Sequence, residues 1–224
     1  MSSPARLATR IWGSFALSPA VPDAPDGACT DRYLVDEVAM VKGAAIPHLA
    51  RGWHMARTDA PVPPADPAPA GPGGVILTGT TQHLQYTDGG QQGDLGRISN
   101  SGKDHGPGTL AVLIPISKSE AWWALPLEAR QEHFRTGARL ASPPGVGPGH
   151  GHTTIGAAYA DRIFRRLYHA RYLPGSGWDF LTYFEMRPEH APAFRQLLAQ
   201  LRDPERNPEW AYVEREVEIW TTRL

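Results

Sequence analysis

Six segments between Thr109 and Ile219 alternate between the two-residue period of a strand and the 3.6-residue period of a helix, in an order that few folds can absorb. Thr109–Ile116 (TLAVLIPI) is a short apolar run suited to a buried strand, and Leu125–Leu140 is a charged stretch of strong helix formers. Tyr159–Tyr172 fits a period of two, with Ile163, Arg165, Leu167 and His169 on one face and Phe164, Arg166 and Tyr168 on the other. Asp179–Met186 (DFLTYFEM) is aromatic and β-branched, hence a strand. Glu189–Arg202 spaces Phe194, Leu197, Leu198 and Leu201 at i, i+3, i+4 and i+7, the stripe of an amphipathic helix. Ala211–Ile219 sets Val213, Val217 and Ile219 against Glu214, Glu216 and Glu218, which reads as a half-buried strand.

Strand, helix, strand, strand, helix, strand is the βαββαβ order of the ferredoxin-like fold, so residues 108–224 are expected to form an α+β domain of that kind. Residues 1–107 read as a degenerate relative of the same unit. Leu7–Leu17 is its first strand, Asp31–Lys42 a helix, and Ala45–His54 and Val75–Gly79 further strands. Glycine and proline make up 23 and 22 of the 224 residues, and their clusters at 58–74 and 141–151 mark long loops outside these elements. Lys plus Arg is 22 against 23 for Asp plus Glu, so no basic face offers itself to nucleic acid. The single Cys29 cannot form an internal disulfide, and no stretch approaches the roughly 18 apolar residues of a membrane span. A cytoplasmic protein is the default expectation.

The familiar short motifs of metal, phosphate and acyl chemistry are missing. None of the nine histidines pairs with cysteine at zinc spacing, and the sequence contains no HExxH, GxGxxG before a helix, GxxxxGK[ST] or GxSxG. The glycines of GPGHGH around Gly147–His152 lack the strand-to-helix setting of a phosphate loop. Taken alone, His152 is a histidine in a glycine-rich loop, Glu209 a carboxylate at a turn, and Arg165 one of two adjacent arginines on a strand, of which one must point outward. His150, His133 and His105 are expected to face solvent, and His169 to sit in the core.

Five strings in order carry a more specific signal: IPISKSEAWWAL from Ile114, a helix containing Glu128, Ala129 and Arg130, RRLYHARYL at 165–173, WDFLTYFE at 178–185 and EWAYVEREVEI at 209–219. Together they resemble the chlorite dismutase family, in its short-subunit branch. A fainter extension covers LTGTTQHLQYT at 77–87 and GDLGR at 93–97. The resemblance implies a dimeric α+β barrel of ferredoxin-like domains, haem b in the C-terminal domain, and decomposition of a small anion, chlorite, to chloride and dioxygen through a ferryl species and transient hypochlorite. It also implies a homo-oligomer, a dimer in this branch.

Carried over residue by residue, the resemblance makes His152 the proximal iron ligand, thirteen positions before the distal arginine, Arg165. Glu209 is the counterpart of the family's glutamate that orients the ligand through its second ring nitrogen. Arg165 would attract the oxyanion and hold the leaving anion, an electrostatic role, since a guanidinium does not titrate usefully. Lys118, Trp122 and Trp123 match the segment near the haem propionates, where cationic and indole N–H donors are needed. Tyr86 resembles a tyrosine near the haem edge.

The chain departs from the family at Thr136–Gly151, an insertion of about fifteen residues between the helix and the histidine. The ligand position therefore falls either at Gly137, which cannot ligate, or at His152, which keeps the spacing. The coproporphyrin-decarboxylating branch is disfavoured, because Ser119–Trp123 has no tyrosine and Arg165 is present. Two rivals stand beside chlorite decomposition: a haem-dependent peroxidase or biosynthetic oxidoreductase on another small substrate, with the insertion as a new pocket wall, and a haem-binding α+β-barrel protein without turnover.

Overall fold

The computed structural model describes residues 12–21, 30–59, 73–81, 106–134 and 151–224. Eight strands run through them: β1 (Trp12–Ser18), β2 (Thr30–Lys42), β3 (His54–Thr58), β4 (Val75–Thr80), β5 (Leu110–Lys118), β6 (Phe164–His169), β7 (Phe180–Met186) and β8 (Val213–Arg223). Among the described residues of the second half lie four α-helices, α1 (Glu120–Ala124), α2 (Leu127–Glu132), α3 (His152–Ala157) and α4 (Ala191–Leu201), with 3-10 turns at Pro188–His190 and Pro208–Tyr212. The strands close an antiparallel barrel in the order β1-β3-β2-β8-β5-β7-β6-β4. Each half contributes four strands with the same internal order, so that the fourth lies beside the first and the third between the first and the second. The architecture is α+β, and the barrel closes within one chain.

Two apolar layers follow from this closure. Phe15, Leu17, Tyr33, Val35, Leu113, Tyr183 and Ile219 fill the barrel. A second layer packs Phe194, Leu197 and Leu198 of α4 against Val112, Ile114, Phe184 and Trp220 on the outer face of the C-terminal sheet. Strand β7 lies between the layers, which is why all seven of its residues are buried, Thr182 and Glu185 among them. At about 2 kcal/mol per large side chain removed from water, the stripe of α4 alone contributes several kcal/mol to holding the helix on the sheet. Pro115 has no N–H to give, and the β5–β8 ladder runs from Leu110 to Leu113 and resumes at Ile116.

Several expectations are corrected. Asp31–Lys42 is strand β2, not a helix. Bulges at Asp36 and Val41 interrupt its pairing with β8, so Tyr33, Val35 and Val38 reach the same core at spacings of two and three, and the second interval mimics a helix. Ala45–His54 is mostly turn, and strand β3 starts only at His54. The helix expected over 125–140 begins only at Leu127, because Pro126 separates it from α1 and holds Leu125 extended; residues 135–140 lie outside the described chain. In the 159–172 segment only Phe164–His169 is strand. Strand β8 is not half-buried: Glu216 and Glu218 are as buried as Val217, because Arg202 at the end of α4 pairs with both carboxylates under the helix layer.

Candidate active site in the cleft between sheet and helices

His152 opens α3 after Gly151, whose φ of +72° turns the chain into the helix. Its backbone N–H donates to the carbonyl of His133 at 3.0 Å. That bond ties the two flanks of the intervening segment together, so the position of His152 is set by the helical layer and not by the length of chain inserted before it. The side chain is fixed as firmly. Its Nδ1 lies 2.7 Å from Oε2 of Glu209, which sits in the 3-10 turn leading into β8.

Glu209 is almost fully buried and shared between two partners, since the ammonium of Lys118 donates to its other oxygen. Burial pushes its carboxyl up, but the Lys118 charge and His152 outweigh burial and hold it well below the ordinary carboxylate range. An ionised carboxylate only accepts, so the Nδ1 of His152 that faces Glu209 carries a proton. Lys118 is in turn fixed through its backbone N–H, which donates to Asp179 at 2.6 Å, and its ammonium lies 5.0 Å from the Trp122 ring.

The two tryptophans part company. Trp123 donates from Nε1 to Asp179 at 3.2 Å and carries the Arg171 guanidinium on its face at 4.1 Å. Trp122 is fully buried against His133, Phe134 and Tyr212, and its indole N–H has no hydrogen-bond partner among the described residues. The Nδ1 of His133 is likewise buried and unpartnered. His133 was expected to face solvent. Instead its ring packs on Trp122 and Tyr212, and burial lowers its pKa despite the nearby charge of Glu209.

Arg165, on β6 opposite Phe184, points to the same side of the sheet as Ile163 and Leu167. Its side chain lines the cleft and is exposed to solvent there. Desolvation by the protein around it lowers its pKa, the charge of Glu209 acting the other way. Among the described residues Arg165 forms no hydrogen bond or ion pair, although Glu209 lines the same cleft. Arg166 lies on the opposite face, over the ring of Phe164 at 5.6 Å.

One cleft, with about 480 Å³ of empty space when its opening to solvent is included, is lined by His152, Glu209, Lys118 and Arg165 together. Its walls are Ile114, Ile116, Thr182 and Phe184 from the sheet and Leu198 and Leu201 from α4. Arg202, Asn207 and Glu216 line it as well. Sequence reasoning did not single out these wall residues, although the period-two pattern of β7 could have supplied Thr182 and Phe184 once Arg165 had been assigned a face. Tyr86, His105 and His150 lie outside the described residues. His169 is half-buried with its ring edge-on to Phe180.

The fold and the cleft define an α+β barrel protein of two four-stranded halves, with a histidine–carboxylate pair and an unpaired arginine converging beneath the helices of the second half. No protein-family profile matches the sequence, nor does any curated protein. Solved structures do. A dimeric chlorite dismutase from Nitrobacter winogradskyi is 30% identical, with 94% of this chain and 99% of that one covered at a TM-score of 0.68. The chlorite dismutase of Candidatus Nitrospira defluvii in complex with imidazole is 18% identical over 96% of this chain and 92% of its own, at a TM-score of 0.62, and so shows the same fold. A mutant of that protein in complex with cyanide, at 17% identity and a TM-score of 0.63, covers all of this chain. The chain belongs to the chlorite dismutase family.

Proposed function

We propose that the protein is a haem b enzyme that decomposes chlorite to chloride and dioxygen. The observation that carries this reading is the convergence of His152, held by Glu209, and the unpaired Arg165 on one cleft. Imidazole and cyanide, the ligands of the Nitrospira structures, are good ligands of haem iron, and chlorite names the substrate of both relatives.

The residues fit the cofactor. A histidine with a carboxylate on Nδ1 and a free Nε2 is the donor that haem iron takes. The buried, unpartnered N–H of Trp122 is a donor that a propionate needs, as is Nδ1 of His133 in the tautomer that protonates it, since an unsatisfied buried donor costs about 1–3 kcal/mol. Bound haem supplies the redox-active iron at which chlorite is cleaved.

The chain's own residues do the rest. Glu209 keeps the proton on Nδ1 of His152 and raises the basicity of Nε2, and Lys118 keeps Glu209 ionised. Trp122 and His133 orient the cofactor's carboxylates. Arg165 draws a small anion into a cleft walled on one side by Ile114, Ile116, Phe184 and Leu198, whose apolar surface offers the anion no competing partner. The same guanidinium retains the anionic chlorine product until the second bond change is complete, by attraction alone. We also propose a homodimer, the state named for the Nitrobacter relative.

Haem titrated into the purified protein is expected to give a Soret band saturating at one equivalent, and His152→Ala to abolish the five-coordinate ferric spectrum. Chlorite added to the loaded protein should yield chloride and dioxygen in equal amounts. Failure to take up haem, or chlorite loss without oxygen, contradicts the reading.

A further inference from the structure

Behind the strand that walls the cleft, inside the barrel, lies a polar cluster for which the proposed chlorite chemistry has no use. Tyr33 and Tyr183 are fully buried, with their hydroxyls 2.7 Å apart. Tyr183 donates to Oε1 of Glu185, itself almost fully buried, and the Tyr33 hydroxyl lies 3.2 Å from the same oxygen. The Arg57 guanidinium covers the Tyr183 ring at 4.8 Å. The cluster is next to the cleft in covalent terms. Tyr183 stands between Thr182 and Phe184, which both line the cleft, and pairs with Arg166, the neighbour of Arg165.

We propose that Tyr183 and Tyr33, with Glu185 as proton acceptor, form a redox-active pair that gives one electron to the peroxide-oxidised cofactor in the cleft across the sheet. The inference rests on the haem reading above. The step balances within the cluster. One phenol loses an electron, the cofactor is reduced by one electron, and the phenolic proton moves along the existing hydrogen bond to the Glu185 carboxylate. The products are a neutral phenoxyl and a neutral carboxylic acid: the electron leaves and the proton stays, so the cluster becomes one charge more positive through neutralisation of Glu185, and no charge develops on the phenol itself.

Each neighbour favours that route over the alternatives. Burial, the second phenol and Glu185 raise the Tyr183 pKa well above its ordinary value, so the phenol does not ionise by itself. Arg57 over the ring opposes a positive charge there, so the proton must leave with the electron. Glu185 is the acceptor in contact with both phenols, and once it takes the proton the second hydroxyl remains to hydrogen-bond the phenoxyl oxygen. Such a pair drains oxidising equivalents from the cleft when chlorite is exhausted, and so spares the walls.

The test is electron paramagnetic resonance on haem-loaded protein frozen shortly after hydrogen peroxide is added. A tyrosyl signal that narrows when ring-deuterated tyrosine is incorporated is expected. Tyr183→Phe and Tyr33→Phe should each cut it at least five-fold, whereas Tyr172→Phe, which alters a tyrosine 81% exposed, should leave it intact. Glu185→Gln keeps the side chain's shape and should lower the yield similarly with an unchanged Soret band, which separates lost proton transfer from lost folding. Loaded protein that evolves oxygen from chlorite but gives no tyrosyl signal, or keeps it in the Tyr33/Tyr183 double variant, overturns the relay alone. Protein that takes up no haem overturns both readings.

Discussion

Glu209 is the residue on which the charges of the cleft converge, with Lys118 on one oxygen and His152 on the other. Truncating it strands a buried ammonium, so Glu209→Ala is expected to cost about 3–5 kcal/mol in urea unfolding, whereas Lys118→Met with Glu209→Leu should recover most of that loss. His169 gives a pH prediction. Burial and the charge of Arg165 lower its pKa from the ordinary 6.5 to about 4. The imidazole stays neutral in the fold but takes up a proton when unfolded, so the unfolded state binds more protons between those values. Its contribution is complete above pH 6.5 and lost as pH falls towards 4. His169→Phe should flatten the wild-type slope in that window by about 1–2 kcal/mol, after allowance for solvent screening. Equal slopes for variant and wild type would refute it.

Among the elements, α4 carries both stability and the cleft wall. Leu198 is 5% exposed and belongs to the outer core and the cleft, so Leu198→Ala is expected to cost about 2–4 kcal/mol in chemical denaturation. The helix was legible because its stripe repeats at 3.6 residues against a polar far side, and β7 because it is short and rich in aromatic residues. Strand β2 was not, because two bulges spoil its alternation and a bulge leaves no signature in composition. The charged side of β8 misled in the opposite sense, since Glu216 and Glu218 are buried through Arg202, a partner distant in sequence. For the site, the resemblance to the family named His152, Arg165, Glu209 and Lys118, which line one cleft, with Lys118 paired to Glu209 and not reserved for a propionate. His133, whose role depends on where α2 ends relative to Trp122, could not be read from a spacing.

At the scale of the whole molecule, the barrel is closed by unequal seams. Strands β2 and β8 pair over most of their length, whereas β4 and β6 pair only at Thr80 and His169. The weak seam is filled by Tyr168, which lies over the cross-strand glycines Gly13 and Gly79. A Cβ at Gly13 would stand 2.4 Å from the Tyr168 ring, and one at Gly79 2.6 Å from its Cβ. Gly79→Val is therefore expected to destabilise the protein by about 1–3 kcal/mol by thermal unfolding, with faster amide exchange along β4.

Closure also places the outer face of the second half beneath its helices, and there Arg165 waits for an anion. An oxygen electrode reads that claim directly. Haem-loaded wild type should evolve oxygen from saturating chlorite, and Arg165→Ala, with the same Soret band, should lose about 100-fold or more in rate, the loss typical of removing one preorganised charge-stabilising donor. Wild-type protein that evolves no oxygen, or an Arg165→Ala variant that matches it, would contradict the account.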